Sequence, residues 1–398
     1  MKKSIKTFLK HPTKDSSNRS ANPAVIRAST ILFNSMQELY QHEKKIKKHQ
    51  KISHYSYGRY GSSTTIELEN ILKELEQAFH VFLTGTGFGG VALAIMSLCR
   101  PGDEILVSDN VYGPTKEISE KLLKEFNVMA KFYNPDSFED LKNKVTKKTK
   151  MILVENPGSN TFEFQDLSKI VNLAKKKKIF SFLDNTWGTP LYLKPLKIGF
   201  DMSFSSATKY FSGHSDAMGG SLAVNKKVFK KIMFFYKLSG YRMSADEAYL
   251  IIRGLRTLDT RLNQHYENTK QIINFLKKQK KVKEILYPHN PSNKNYKLWK
   301  KYYTGATGLL SIVVKSKKKS SVIKFVNSLE LFGIGYSWGG FESLAILQEL
   351  RSNKKDEYLQ GRKYFRFNKD EHIIRLHIGL EDPKDLINDL KRSLRYIK

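Results

Sequence analysis

The sequence predicts an α/β protein with a doubly wound, mostly parallel sheet in a large domain and a smaller C-terminal α+β domain. Short apolar runs alternate with amphipathic stretches through the first half of the chain, as strands and helices do in a parallel sheet. At 398 residues the chain also exceeds what one hydrophobic core usually holds. We expect an N-terminal arm (1–60), a large domain (61–254) and a small domain (255–398).

The elements of the large domain follow from local patterns. Residues 1–60 show little periodicity and predict an extended arm with a short helix. From Ser63, apolar residues recur at helical spacing. Helices are also predicted near residues 114–125, 137–147 and 166–177. The predicted strands cover residues 81–83, 104–107, 129–133, 151–155, 179–184, 202–206 and 221–224.

The pattern changes beyond residue 254. A long helical stretch is predicted over residues 255–280, followed by a polar connector. Strands are predicted over residues 309–314, 333–338 and 373–380, with helices between and after them. This mixture predicts the small α+β domain.

The net charge of +31 raises the question of an anionic partner. The cations are 55 lysines and 14 arginines, and the lysines occur in short runs of the kind found on solvated surfaces. Base recognition and bidentate phosphate binding favour arginine. We therefore expect no nucleic-acid partner, and a small molecule as the substrate.

Cysteine and hydropathy narrow the class of protein further. Cys99 is the single cysteine, which excludes an internal disulfide and a cysteine-rich metal site and indicates a reducing compartment. No apolar run reaches the ~20 residues of a membrane span. The ten histidines lack tight metal-binding spacing. We expect a cytoplasmic protein with no membrane association and no metal.

Residues 205–216 carry the most specific pattern in the chain. Lys209 follows a predicted strand and is flanked by the hydroxyl residues Ser206 and Thr208. A lysine that forms a Schiff base must be held where its amine can lose a proton, and neighbouring hydroxyls can bind a phosphate. The alternative is a lysine at a strand end that points into water.

Asp184 ends a buried apolar strand 25 residues before Lys209. A buried aspartate needs a cationic partner, and a protonated pyridine nitrogen is one. An aspartate after a strand is more commonly a turn or cap residue. The two residues in this order, on successive strands of one sheet, indicate a cofactor site more strongly than either does alone.

A glycine-rich segment, residues 84–90, follows a strand and precedes a helix. Its glycines free backbone N–H groups at a helix N-terminus, where an anion binds readily. The segment matches the letters of a dinucleotide fingerprint but lacks the acidic residue in the following strand. It predicts an anion site or a simple turn.

Other motifs could hold a flat anionic cofactor and its substrate. Tyr57, Arg59 and Tyr112 lie in short glycine-containing motifs, although each tyrosine alone is more often a packing residue. Arg375 lies within an apolar strand and needs a carboxylate from the protein or from a substrate.

Six segments in this order resemble the Cys/Met-metabolism family of pyridoxal-phosphate enzymes, and within it the β-lyases. The resemblance runs from about Ile26 to the C-terminus and implies a fold-type-I enzyme with pyridoxal 5′-phosphate as its cofactor. The segments are residues 57–61, 184–187, 207–218, 253–258, 336–340 and 375–382.

The resemblance implies a role for each candidate residue. Lys209 would hold the cofactor as a Schiff base and then act as the general base, while Asp184 would pair with the pyridine nitrogen. Tyr112, the second predicted catalytic residue, would stack on the ring. Arg375 would hold the substrate carboxylate beside Ser337 and Trp338. The phosphate would be bound by Gly87, Phe88, Ser206 and Thr208, and by Tyr57 and Arg59 of a neighbouring subunit.

The implied activity is β-elimination of L-cystathionine to L-homocysteine, pyruvate and ammonia, in methionine biosynthesis. Trp338 favours it, because the family's γ-synthases and γ-lyases typically have leucine there. A γ-lyase, a γ-synthase and a broader cysteine-S-conjugate β-lyase stay as alternatives, with alanine racemisation as a conceivable side activity. Outside enzymes, the alternative is a basic nucleic-acid-binding protein on a degenerate fold.

The resemblance also implies a homotetramer with shared active sites. Three residues depart from the family pattern. Phe88 is bulkier than the residue usual beside the phosphate, Ser56 replaces an expected aromatic residue, and Asn156 stands where Ser or Thr is common.

Overall fold

A computed structural model describes residues 4–11, 20–49, 53–349, 362–365 and 368–398. In these residues the strands form two sheets, which confirms the predicted α/β class. The larger sheet contains β1 (His80–Thr84), β2 (Glu104–Ser108), β3 (Met129–Tyr133), β4 (Thr149–Glu155), β5 (Phe180–Asp184), β6 (Met202–Ser206) and β7 (Gly220–Val224). The smaller sheet contains β8 (Val282–Leu286), β9 (Leu309–Lys315), β10 (Leu344–Gln348) and β11 (Glu371–His377).

The larger sheet is mostly parallel, as predicted. Its strand order is β1-β7-β6-β5-β4-β2-β3, and only β7 runs antiparallel to its two neighbours. The carboxyl ends of β4, β5 and β6 therefore meet at one edge, where ligands bind in open α/β sheets. Asp184, at the end of β5, pairs in register with Glu155, at the end of β4.

The helices connect the strands and flank both sheets. A π-helical turn over Ile118–Leu122 lies between α5 and α6, inside the helix predicted near residues 114–125. The helices are α1 (Ile5–Lys10), α2 (Met36–Lys47), α3 (Ser63–Glu76), α4 (Gly87–Leu98), α5 (Gly113–Glu117), α6 (Leu123–Glu125), α7 (Phe138–Lys144), α8 (Leu167–Lys177), α9 (Thr189–Tyr192), α10 (Pro195–Ile198), α11 (Lys226–Ser239), α12 (Ala245–Leu255), α13 (Leu258–Leu276), α14 (Tyr296–Tyr302), α15 (Lys319–Asn327) and α16 (Pro383–Leu394).

Both faces of the larger sheet are covered, because successive strand residues point to opposite sides. Phe182 belongs to one core cluster with residues of α4 and α11. Its neighbour Leu183 belongs to another cluster with residues of α8. The near-continuous apolar character of the strands follows from this burial on two sides.

The smaller sheet is antiparallel, in the order β10-β11-β9-β8. Strands β8 and β10 are additions to the sequence prediction. The strand predicted over residues 333–338 is wrong: this segment makes only an isolated bridge between Gly333 and Leu344. Ser337 adopts φ of 80°, which breaks an extended strand and turns the backbone toward β11.

The long helix predicted over residues 255–280 is confirmed as α13, which is shorter at both ends, and a break separates it from α12, which the sequence did not predict. The carbonyl of Gly254 accepts a hydrogen bond from Arg261 Nη2 at 2.7 Å. A Cβ at Gly254 would lie 2.1 Å from the carbonyl oxygen of Ser212, so this close approach needs glycine. The break thus fixes the backbone next to Lys209.

The N-terminal arm contains more helix than the sequence predicts. Its described part includes α1, which buries Leu9, and α2, which has no buried residue. Residues 1–3, 12–19 and 50–52 lie outside the described part. The predicted boundary between residues 254 and 255 falls at the end of α12, and the division into domains stays a proposal. No helix in the described residues is long and apolar enough to cross a membrane.

Glu76, at the end of α3, gives a prediction for stability. Burial raises the pKa of this carboxyl group to about 8, against about 4.3 in an unfolded chain. The folded state therefore binds the proton more tightly, and stability falls as pH rises from about 4.5 to about 8. We expect Glu76→Gln to stabilise the protein at pH 8.5 by on the order of 3 kcal/mol, and much less at pH 5.

Thermal melting of the native protein and of Glu76→Gln, at pH 5 and at pH 8.5, measures this difference. Glu74→Gln is the matched control, since Glu74 is exposed on the same helix and loses the same charge. An equal change in melting temperature at both pH values for Glu76→Gln would contradict the explanation.

Candidate active site

A cavity lies where the carboxyl ends of β4 and β5 face the smaller sheet. Carboxyl groups, two indole rings and a guanidinium group surround it. Its lining includes Glu155, Asn160, Asp184, Trp187, Trp338 and Arg375. The larger sheet supplies the acidic groups and β11 supplies the cation, so the site depends on both sheets.

Lys209 lies in the turn that follows β6, next to Trp338 of this cavity. Its ammonium group donates a hydrogen bond to Ser337 Oγ at 2.7 Å and lies 5.4 Å from the centre of the Trp338 ring. Burial, and then repulsion from Arg375, lower the pKa of Lys209 to about 8, although Asp184 opposes this. A substantial fraction of the amine is therefore neutral near physiological pH, as Schiff-base chemistry needs.

Asp184 and Glu155 form a pair of neighbouring carboxyl groups. Asp184 Oδ1 accepts hydrogen bonds from the backbone N–H and the hydroxyl of Thr186, at 2.9 and 2.5 Å. Burial raises the pKa of Asp184 to about 6. Burial and then the Asp184 carboxylate raise the pKa of Glu155 well above its ordinary range. At neutral pH Glu155 is therefore protonated, and Asp184 is the carboxylate available to a cation.

Arg375 lies on β11 and points toward the segment that carries Ser337 and Trp338. Its Nη2 donates to the carbonyl oxygen of Ser337 at 3.0 Å. Two residues further along β11, His377 Nε2 accepts a hydrogen bond from the backbone N–H of Gly339 at 3.1 Å. Burial lowers the pKa of Arg375 to about 10, so it stays charged at neutral pH. It is thus a cation held ready for a carboxylate.

The glycine-rich segment meets the lysine segment at the start of α4. A Cβ at Gly87 would lie 2.4 Å from Ser206 Oγ, so only glycine permits this contact. Phe88 follows in the first turn of α4, with 38% of its surface exposed. The backbone N–H of Ser206 donates to Thr186 Oγ1 at 2.9 Å, which connects this corner to Asp184. The hydroxyl of Thr208 accepts from the backbone N–H of Gly219 at 3.0 Å.

Tyr112 lies in the loop after β2, where its backbone N–H donates to Glu155 Oε2 at 2.6 Å. Its side chain is 48% exposed. Burial raises the pKa of the Tyr112 hydroxyl, and the nearby Arg375 partly opposes this. The ring is therefore close to Arg375 and protonated at neutral pH.

Tyr57 and Arg59 lie apart from this cavity in the single chain. They line a separate surface cavity together with Arg242. Arg59 Nη1 donates to the carbonyl oxygen of Lys237 at 3.0 Å, and Tyr57 is 47% exposed. Within one chain these side chains are not part of the Lys209 site.

Comparison with known proteins gives this arrangement a family. Residues 6–395 match the model of the Cys/Met metabolism PLP-dependent enzyme family. The chain belongs to this family. It is a pyridoxal-phosphate enzyme of the fold type expected, and its cofactor is pyridoxal 5′-phosphate.

Relatives in the family carry more than one name. A cystathionine beta-lyase of Bordetella avium is 34% identical over 98% of this chain and 98% of its own. An L-alanine/L-glutamate racemase of Wolbachia pipientis wMel is 34% identical over 94% of this chain and 92% of its own. The solved cystathionine gamma synthase of Xanthomonas oryzae pv. oryzae, in complex with aminoacrylate and cysteine, has 26% identity and a TM-score of 0.88, covering 100% of this chain and 99% of that one.

The residues of the cavity fit the family cofactor. Lys209 has a lowered pKa, Asp184 supplies a carboxylate for a ring nitrogen, and the N-terminus of α4 meets Ser206 as an anion site would require. In the described residues, no group of three or more His, Cys, Asp and Glu side chains could hold a metal ion.

Sequence reasoning missed Glu155 as a site residue, although the rule that identified Asp184 also applies to it: both carboxyl groups end parallel strands.

Asn156, one of the three departures from the family pattern, has a structural role. Its Nδ2 donates to Tyr303 at 3.3 Å, and its Oδ1 accepts from the backbone N–H of Gln165 at 2.8 Å. Asn156 is fully buried and does not line the cavity, so it acts on the loop rather than on a ligand.

Proposed function

We propose that the enzyme catalyses β-elimination of L-cystathionine, with water consumed and L-homocysteine, pyruvate and ammonia formed. One observation carries the choice within the family: the ring of Trp338, which distinguishes the β-lyases in sequence, lies 5.4 Å from the reacting amine of Lys209. The relatives named cystathionine beta-lyase support the same reaction.

Arg375 binds the α-carboxylate of the substrate in this proposal. It is partly buried, charged and held by the Ser337 carbonyl, so a planar carboxylate can take up its remaining donors. This contact fixes Cα close to Lys209, because Lys209 is bonded to the side chain of the same Ser337. One residue thus links substrate binding to the base.

Lys209 removes the Cα proton once its amine is released. Its pKa of about 8 suits a group that must accept a proton near neutral pH. When bound, pyridoxal phosphate supplies an electron sink for the charge left at Cα. The Asp184 carboxylate would keep the ring nitrogen of that cofactor protonated, and Tyr112 would cover the ring.

The Cβ–S bond breaks next, and the thiolate leaves with the second half of the substrate. The Trp338 ring on one side of Lys209 excludes water from the amine during this step. Gly87, Phe88, Ser206 and Thr208 hold the phosphate in this proposal. Of these, Thr208 supports the turn through Gly219 as well.

Product analysis tests this function. The purified protein, loaded with pyridoxal phosphate and given L-cystathionine, should release pyruvate and free homocysteine in equal amounts. Release of 2-oxobutyrate and cysteine would instead show γ-elimination. The absence of cleavage, with the cofactor bound, would contradict the lyase assignment and leave a synthase or racemase.

Racemisation of alanine is the second candidate, and the 34% identity to a named racemase favours it. Racemisation needs a proton to leave Cα and return on the opposite face. Lys209 and Tyr112 are two titratable groups that both lie near Arg375. Incubation of L-alanine in D2O, followed by chiral chromatography, tests it: D-alanine carrying deuterium at Cα supports the activity, and unchanged L-alanine rejects it.

We also propose that the active site is completed by a second subunit, within a tetramer. Tyr57 and Arg59 face a separate surface cavity in the single chain. Leu32, in the same arm, is 89% exposed, and an apolar side chain so exposed suits a subunit interface. In the assembly, Arg59 of one chain would bind the cofactor phosphate at Lys209 of another.

Mixed oligomers test this sharing of sites. Lys209→Ala and Arg59→Ala chains should each be nearly inactive, the second because it loses roughly tenfold or more in phosphate binding. A purified heterodimer of the two has one site with both native residues, so we expect about half of the native activity per dimer. If Arg59 acts within its own chain, mixing will restore nothing.

We place the enzyme in the cytoplasm. Cys99 is buried, and burial raises the pKa of its thiol to about 12, so it is an inert thiol of the kind common in reducing compartments. Fractionation of cells that express the tagged chain tests this assignment.

A further inference from the structure

Arg362 is a buried arginine with two buried carboxylate partners, and the function proposed above does not use it. Its Nε donates to Asp109 Oδ2 at 3.0 Å, and its Nη2 donates to Glu163 Oε1 at 2.8 Å. The third nitrogen, Nη1, donates to Thr161 Oγ1. Arg362 and Glu163 are at most 6% exposed, and Asp109 is fully buried. Each of the three guanidinium nitrogens therefore has its own hydrogen-bond partner.

The charges of this cluster are balanced only when Arg362 is present. Lys116 also pairs with Asp109, at 3.0 Å between Nζ and Oδ1. Glu163 has no cation but Arg362 among the ion pairs of the described residues. Removal of the guanidinium group would leave a buried carboxylate without compensation, which is costly in a protein interior. The cluster thus joins three chain segments: the one with Asp109, the one with Thr161 and Glu163, and the one with Arg362.

The partners of Arg362 lie on the two loops that shape the active-site cavity. Asp109 is three residues before Tyr112, in the loop after β2. Thr161 and Glu163 follow Asn160, in the loop after β4 that lines the cavity. Arg362 itself belongs to the chain that leads into β11, which carries Arg375.

The two loops also contact each other directly. The backbone N–H of Ser159 donates to the carbonyl oxygen of Asn110 at 2.8 Å. The segment next to Arg362 adds two more contacts, because the backbone N–H groups of Lys363 and Tyr364 donate to Asp109 at 3.2 and 3.1 Å. Tyr112, whose side chain is half exposed, is thus positioned through the backbone of its loop rather than by close packing of its ring.

We propose that Arg362 is a positioning residue for the reaction: it holds the loop of residues 109–112 against the loop of residues 158–163, and so places Tyr112 over the cofactor. Arg362 does not touch the cofactor or the substrate and acts through Tyr112. The proposal rests on the role given to Tyr112 in the proposed function.

A double-mutant cycle tests the proposal on the full-length enzyme loaded with pyridoxal phosphate. Arg362→Lys keeps the positive charge but cannot make the three guanidinium hydrogen bonds to Asp109, Thr161 and Glu163. In the native background we expect kcat/KM for L-cystathionine to fall about 10- to 100-fold, as for a displaced catalytic group. In the Tyr112→Ala background the same change should cost less than about 3-fold, since its target is already absent.

The circular dichroism of the bound cofactor is a second readout that does not need the lyase activity. Arg362→Lys should change this signal in the native background and leave it unchanged in the Tyr112→Ala background. If cystathionine is not a substrate, this readout still tests Arg362, so failure of the proposed function and failure of the positioning role are distinguishable.

Arg392→Lys is the matched control, because Arg392 also pairs with acidic side chains in the C-terminal part of the chain, at Glu330 and Asp389. It should leave kcat/KM and the cofactor signal unchanged. An equal loss from Arg362→Lys in both backgrounds, or no loss in either, would overturn the proposal. If Arg362→Lys does not fold, Glu163→Gln weakens the same contact and takes its place in the cycle, with the same expected results.

Discussion

Replacement of Lys209 by alanine should lower kcat for L-cystathionine by at least about 10³-fold and remove the visible absorption of the lysine-bound cofactor. Both effects have one cause, since the amine that binds the cofactor is also the base at Cα. The amine is set up for this by burial, by Arg375 and by its hydrogen bond to Ser337. The loss of turnover is measured by the rate of pyruvate formation, and the loss of the bound cofactor by an absorption spectrum of the same sample.

Lys194→Ala is the matched control for this variant. Lys194 is another partly buried lysine, and burial lowers its pKa. Its ammonium group, however, donates to the carbonyl oxygen of Leu75 at the end of α3, near Glu76. We expect this control to keep the cofactor absorption and the turnover. Normal turnover by Lys209→Ala would refute the role given to Lys209.

Replacement of Arg375 by alanine should raise KM for L-cystathionine on the order of 100-fold and change kcat by less than about tenfold. The reason is the loss of a charged, partly buried partner for the substrate carboxylate, while Lys209 stays in place. Initial rates of pyruvate formation over a wide range of substrate concentration separate the two constants.

Arg375→Lys is the informative companion, because it keeps a cation but loses the planar pair of donors. We expect a KM between those of the native enzyme and the alanine variant. Lost kcat with an unchanged KM in Arg375→Ala would show that Arg375 acts on the reacting atoms and not on the carboxylate.

Much of the fold and of the site follows from local sequence patterns. The seven strands of the larger sheet were predictable because they alternate with amphipathic helices, and all but β3 are largely buried. Asp184 and Lys209 were predictable because each lies at or after the end of such a strand, and parallel strands bring their carboxyl ends together. The same rule would have included Glu155, had it been applied to every strand.

The rest depends on contacts between distant parts of the chain. Arg362 and Asp109 are 253 residues apart, and no local pattern links them. The segment of residues 333–338 has strand-like composition, but Arg375 draws the Ser337 carbonyl away from an extended path. In both cases an arginine far away in the sequence forms the contact.

The most direct test of the proposed reaction follows the carbon atoms of the substrate. L-cystathionine labelled with ¹³C in its three-carbon half is incubated with the native enzyme and observed by NMR. β-Elimination predicts that the label appears in pyruvate, while unlabelled homocysteine is released. Label recovered in cysteine, with unlabelled 2-oxobutyrate beside it, would show that the chain cleaves the other carbon–sulfur bond and would contradict the β-lyase assignment.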